Sequence, residues 1–135
     1  MIIVPRHVLD DMIAHAREEA PVEACGLLAG VGVEVVRGYR LTNMDCSRDH
    51  FSLDPKEQFA AVKQARTLGL EILGVYHSHP ETPARMSGED LRFAFTPEFR
   101  YVIVSLMNGD PPEIRSFTVW EGNPVEEPVL TEAAS

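Results

Sequence analysis

Between Glu71 and His77 the chain runs Ile72-Leu73-Gly74-Val75-Tyr76, five residues without a charge. A strand that is apolar on both faces has to be covered on both, which places it inside a sheet with helices above and below. The run leads directly into His77-Ser78-His79-Pro80. Whatever this chain folds into must therefore bring two histidines to the end of a buried central strand.

The covering layers are legible on either side. Val8, Leu9, Met12, Ile13 and Ala16 recur at helical spacing, predicting an amphipathic helix from Pro5 to about Glu19 that Pro21 ends. Cys25 to Ala29 and Val33 to Leu41 are rich in small or β-branched residues, and Gly30 to Gly32 offers a turn between them, so a hairpin is expected. Asn43 to His50 is polar and irregular, as a loop would be. Asp54-Pro55 supplies an N-cap oxygen and a ring preset at helical φ, opening a second helix to Gly69 whose inner face would be Phe59, Val62 and Ala65 or Arg66. Ser87-Gly88-Glu89-Asp90 reads as a capping box that starts a third helix through Leu91, Phe93 and Ala94, closed by Pro97. Tyr101 to Leu106 and Ile114 to Trp120 are strand-like, with turn residues between them. The expectation is an α/β fold: one domain over residues 1–123, a mixed β-sheet flanked by helices, and a loosely ordered tail over 124–135.

Charge narrows the function classes. The net charge of -9 comes from 21 acidic against 12 basic residues, and the basic ones form no stripe, which argues against a nucleic-acid surface. Met1 to Val4 is apolar, but Pro5 and Arg6 interrupt it before a signal core could form. Ala24 to Val33 is about half the length a bilayer-spanning helix requires, so no membrane role is expected. Cys25 and Cys46 lack paired-ligand spacing, in keeping with a reducing cytoplasm.

Residues two apart on a strand share a face, so His77 and His79 can offer two imidazoles to one ion while Ser78 points away. A catalytic zinc usually takes three protein ligands and keeps a fourth position open, so a carboxylate is still needed. Asp90 suits, lying in the first turn of the helix that follows the loop from His79. Each signal also has a plainer reading. Two histidines at a strand end are often only surface residues, a serine N-cap with an acid three residues on stabilises a helix unaided, and Glu23 could be a solvated acid just past a helix.

Taken together, the motif is more specific. His77-Ser78-His79, ten residues, then Asp90, with Ser87 three before it and Glu23 upstream in Pro21-Val22-Glu23-Ala24-Cys25-Gly26, resembles the JAMM (MPN+) metalloprotease family. Asn43, the segment Phe51 to Pro55 and the helix before Gly74-Val75-Tyr76 also resemble its short prokaryotic members, so the likeness covers nearly the whole chain. The resemblance implies a cytidine deaminase-like α/β fold. It also implies one Zn2+ per chain held by His77, His79 and Asp90, Glu23 as general base, and Ser87 as hydrogen-bond donor to the oxyanion. The implied substrate is a ubiquitin-like or sulfur-carrier protein, cut after its C-terminal Gly-Gly tail to release cysteine or another small amine. An extended glycine tail could reach such a site as a strand added along a sheet edge. Met86 departs from the proline that prokaryotic members often carry before the motif serine. Two rival readings remain at this level: a catalytically silent scaffold of the same fold, and a cysteine hydrolase using Cys25. His7, His15 and His50 lack ligand partners and read as structural or exposed. Oligomeric state is not legible.

Overall fold

The computed structural model describes residues 1–92 and 98–131. Its elements run β1 (Ile2–Ile3), α1 (Arg6–Glu19), β2 (Cys25–Val31), β3 (Glu34–Leu41), α2 (Pro55–Thr67), β4 (Glu71–His79), α3 (Gly88–Arg92), β5 (Arg100–Ser105), β6 (Glu113–Trp120), β7 (Asn123–Glu127) and β8 (Val129–Leu130). They form one sheet in the order β7-β6-β5-β4-β2-β3-β1-β8. It is mixed: β4 and β5 pair parallel, whereas β2 pairs antiparallel with both β3 and β4. The apolar run is thus central, and the fold class read from the sequence holds.

Two cores lie on the two faces. Val8, Leu9, Met12 and Ala16 of α1 cluster with Leu28, Tyr76, Val102 and Val104. Ala61 of α2 clusters with Cys25, Leu27, Val75 and Ile103. The pairs Leu27/Leu28, Val75/Tyr76 and Val102/Ile103 divide between the cores because successive strand residues face opposite ways. Between Leu28 and Ala29 the register of β2 on β4 shifts, so that Leu73 has no opposite residue of its own. This bulge turns Leu73 to the α1 side while Ile72 and Val75 remain on the α2 side. Downstream of it, His77 and His79 continue the α2 face.

Close approach explains two glycines. A Cβ on Gly26 would lie 2.2 Å from the Tyr76 ring, which is held by a 2.7 Å bond between its hydroxyl and Nδ1 of the buried His15. A Cβ on Gly30 would lie 1.9 Å from the carbonyl oxygen of Glu34. Gly30 therefore serves strand pairing rather than the expected turn. β2 continues to Val31, and the reversal falls at Gly32, where φ is +63°.

Two expectations need correction, and a third falls partly outside the described residues. Phe59 is not on the inner face of α2: it is 71% exposed, while Ala61 and Ala65 are buried. Residues four apart share a helical face, and the small alanines let α2 lie close to the sheet; Phe59 is more than half a turn away from them. Second, the segment after Asn123 is not loose up to Thr131. β7 pairs with β6 and β8 pairs with β1, so the segment extends the sheet at both edges, and the Glu127 side chain accepts hydrogen bonds from Arg100 and Ser116. Third, α3 is described only from Gly88 to Arg92; Phe93, Ala94 and Pro97 lie outside the described residues. The N-cap at Asp54 is as expected, its side chain accepting from Lys56 N at 2.9 Å.

Candidate active site

β4 ends by presenting His77 and His79 on one face, and the turn from Pro80 to Met86 returns the chain so that α3 begins beside them. Nε2 of His77 is 3.1 Å from Nε2 of His79, and each is 3.2 Å from Oδ2 of Asp90. Three donor atoms at the corners of a near-equilateral triangle match one face of a tetrahedron, whose edge for zinc bonds of about 2.0–2.1 Å is about 3.3–3.4 Å. Nδ1 of His79 lies 2.8 Å from the Pro83 carbonyl oxygen. A carbonyl only accepts, so Nδ1 carries the proton and Nε2 is left as the ligand atom. Phe51 stacks on the His77 ring, centroids 4.7 Å apart, and fixes its plane.

Ser87 and Asp90 form the reciprocal cap. Asp90 N donates to Ser87 Oγ at 3.0 Å, and Ser87 N donates to Asp90 Oδ2 at 2.9 Å. The same oxygen that closes the cap faces both histidines, so the plain and the functional readings of this motif are compatible. Met86, the departure from the family pattern, is buried in the α2-side core next to Ala84.

Glu23 lies at the end of the segment entering β2 and is 2% exposed. A carboxylate oxygen of Glu23 and a ring nitrogen of each histidine all lie within 4.8 Å of one another. That places it close enough to be counted with the histidines as a ligand, but the tighter triangle belongs to Asp90. Oε1 of Glu23 is buried without a hydrogen-bond partner among the described residues, as is Nδ1 of His77. Buried polar groups are nearly always satisfied, so an orphan carboxylate oxygen beside two imidazoles marks a site that expects a cation or a reacting group. Burial, reinforced by Asp90 and Asp49 and opposed by His79, pushes the Glu23 carboxyl up to about 8. Burial would raise Asp90 too, but hydrogen bonds from His77 and His79 overcome it and hold Asp90 well below the usual carboxylate range. The histidines diverge. Burial lowers His77, whereas for His79 the hydrogen bonds to Asp90 and Pro83 outweigh burial and raise it.

The segment that carries Glu23 is held by residues that residue-type reasoning did not assign. Ser78, on the opposite face from the histidines, grips Ala24 twice: its N–H donates to the Ala24 carbonyl at 3.0 Å, and its Oγ accepts from Ala24 N at 2.7 Å. Asn43 is a hub. Its Nδ2 donates to the carbonyls of Glu23 at 3.0 Å and His50 at 3.1 Å, and its Oδ1 accepts from Asp45 N at 3.0 Å and Ser52 N at 3.2 Å. One amide thus ties the general-base candidate to the loop that delivers Phe51. Asn43→Ala would leave several partly buried groups unmatched, and a loss of about 1–3 kcal/mol is expected in denaturant unfolding. An unchanged midpoint would mean that the loop is held by something else.

Of the remaining histidines, His7 is exposed, His15 is buried and bonded to Tyr76, and His50 is paired with Asp45 at 3.0 Å. Cys25 is fully buried, and burial, with Glu57, Glu23 and Glu19, pushes its thiol up to about 12. A thiol so far above neutrality supplies almost no thiolate. Iodoacetamide at pH 8 is accordingly expected to label the exposed Cys46 in the native protein and Cys25 only after unfolding. Two thiols labelled in the native state would restore Cys25 as a nucleophile candidate.

Comparison with known proteins follows the same lines. The family described as prokaryotic homologs of the JAB domain matches residues 5–120. This chain belongs to that family. The prokaryotic JAB domain is typically metal-dependent, which agrees with the cluster of Glu23, His77 and His79. Among its relatives, the CysO-cysteine peptidase of Mycobacterium tuberculosis is 33% identical over 96% of this chain and 90% of its own length. The probable TtuB-protein conjugate cleaving protease of Thermus thermophilus is 35% identical over 96% of this chain and 84% of its own. The solution structure of protein DSY2949 from Desulfitobacterium hafniense superposes with a TM-score of 0.88 at 46% identity, covering 96% of this chain and 92% of that one. The match thus spans the whole candidate site and most of both cores.

Proposed function

We propose that this JAB-domain chain is a zinc-dependent peptidase or isopeptidase that hydrolyses the bond after the C-terminal Gly-Gly tail of a ubiquitin-like or sulfur-carrier protein in the cytoplasm. The observation that carries the reading is the triangle of His77 Nε2, His79 Nε2 and Asp90 Oδ2 at 3.1–3.2 Å, with the buried Oε1 of Glu23, unpartnered among the described residues, beside it. Relatives named as peptidases of CysO-cysteine and of TtuB conjugates support the substrate class.

In this reading His77, His79 and Asp90 hold the zinc. When bound, zinc supplies a Lewis acid that polarises a carbonyl and makes water acidic enough to attack near neutral pH. Glu23 takes the proton of the attacking water and passes it to the departing amine. The hydroxyl of Ser87 uses its lone pair on Asp90 N, so its hydrogen is free to donate to the oxyanion. Phe51 and the Pro83 carbonyl keep the two imidazoles in place while the substrate changes.

The test is mass spectrometry of a panel of ubiquitin-like proteins bearing C-terminal extensions or isopeptide-linked amines. Cleavage after Gly-Gly, abolished by chelation and restored by zinc, is expected. Cleavage that survives chelation would overturn the metal reading.

A further inference from the structure

His79 is oriented by a loop that has little hydrogen bonding of its own. Between Pro80 and Met86 the one backbone-to-backbone hydrogen bond among the described residues runs from Arg85 N to the Pro83 carbonyl at 2.8 Å. That carbonyl also accepts from Nδ1 of His79 at 2.8 Å, so both of its lone pairs are engaged and its direction decides which way the imidazole turns. Ala84 and Met86 plug the later part of the loop into the α2-side core. The part ahead of Pro83 is held in another way.

Ser105, the last residue of β5, lies opposite His79 in the parallel pairing and is 2% exposed. Tyr101 and Ile103 precede it on this face and belong to the apolar core, so a buried hydroxyl here needs partners. The Thr82 carbonyl, 2.6 Å from Oγ, can only accept, so the hydroxyl proton points at Thr82. Met107 N donates to the same Oγ at 3.2 Å. Leu106 N donates to the His79 carbonyl at 3.1 Å. The end of β5 thus holds the histidine by its backbone and the loop beside it by Ser105. One continuous path runs from Ser105 to Thr82, across the peptide to Pro83, and on to Nδ1 of His79.

Resting on the zinc reading above, we propose that Ser105 is a positioning residue for the metal centre. By tethering the Thr82 carbonyl it aims the Pro83 carbonyl at His79, so that Nε2 of His79 faces the ion before the ion arrives. Ser105, Thr82 and Pro83 are not among the residues lining the cavity of about 560 Å³ that opens on His77 and Asp90. A change at Ser105 therefore acts on the metal and leaves the wall of that cavity as it is.

Zinc affinity, measured by competition with a chelator on the parent protein, S105A and S105T, tests this. Ser105→Ala is expected to weaken zinc about tenfold, the lower end of the range for a lost outer-shell partner, and Ser105→Thr, which keeps the hydroxyl, to restore it. A second readout is the NMR signal of the Nδ1 proton of His79 in the zinc-loaded proteins. It should exchange with solvent faster in S105A than in the parent and S105T. The Nδ1 proton of His77, which has no partner among the described residues, should behave alike in all three. If the alanine variant does not fold, Ser105→Cys, close in volume but only a weak donor, is read in the same way. A fall in stability with zinc affinity and the His79 signal unchanged would make Ser105 a strand-end cap, overturning the positioning role while the zinc reading stands. A parent protein that binds no zinc would overturn both.

Discussion

Glu23→Gln is expected to retain zinc and to lose turnover by about two to four orders of magnitude, the usual contribution of a positioned general base. The amide has nearly the volume of the carboxyl, and the backbone on either side of it is pinned independently. Glu23 N donates to the Ser47 carbonyl at 2.8 Å, its carbonyl accepts from Asn43, and Ser78 holds the next residue. The substitution therefore removes proton transfer with little change in shape. The three atoms of the metal triangle lie on other residues, so zinc content should stay as in the parent protein. Kinetics on a cleaved substrate alongside metal analysis makes the check, and a fully active variant would take Glu23 out of the chemistry.

Asp90→Ala should have the opposite signature, with zinc lost or weakly held and activity lost with it. Two imidazoles would remain where three ligands are needed. The same oxygen also accepts from Ser87 N, so the cap of α3 is broken as well. A modest fall in stability is expected beside the loss of metal. Zinc occupancy measured after dialysis against a weak chelator separates the two effects, and unchanged occupancy would mean that Glu23, not Asp90, completes the ligand set.

Local patterns were legible where the residues act locally. The apolar run before His77, the N-cap at Asp54 and the period of α1 depend on near neighbours in sequence, and each appears where the pattern put it. Phe59 was misplaced because an aromatic residue on an amphipathic helix reads as core; the decision was made instead by Ala61 and Ala65, whose small size allows close contact with β4 and β2. Strands β7 and β8 escaped notice because they are short and have Pro124 and Pro128 in or beside them, and because β8 depends on β1, with Val129 opposite Ile2 at the other end of the chain.

The site divides in the same way. His77, His79, Ser87, Asp90 and Glu23, to which we assign the chemistry, are residue types whose spacing can announce a site. Asn43 and Ser78 work through hydrogen bonds to backbone groups about 20 and 54 residues away, respectively, and Phe51 through stacking on His77; none of these contacts leaves a spacing signal. The Asn43 segment was visible only as part of a family likeness. His50, read as a loop histidine, lines the cavity beside the site with Asp45.

The most direct test of a zinc site built from His77, His79 and Asp90 is the zinc content of the protein purified without added metal. About one tightly held zinc per chain is the predicted result. A chain that holds none, and binds none when zinc is supplied, would contradict the account and favour a scaffold that has the family's fold without its chemistry.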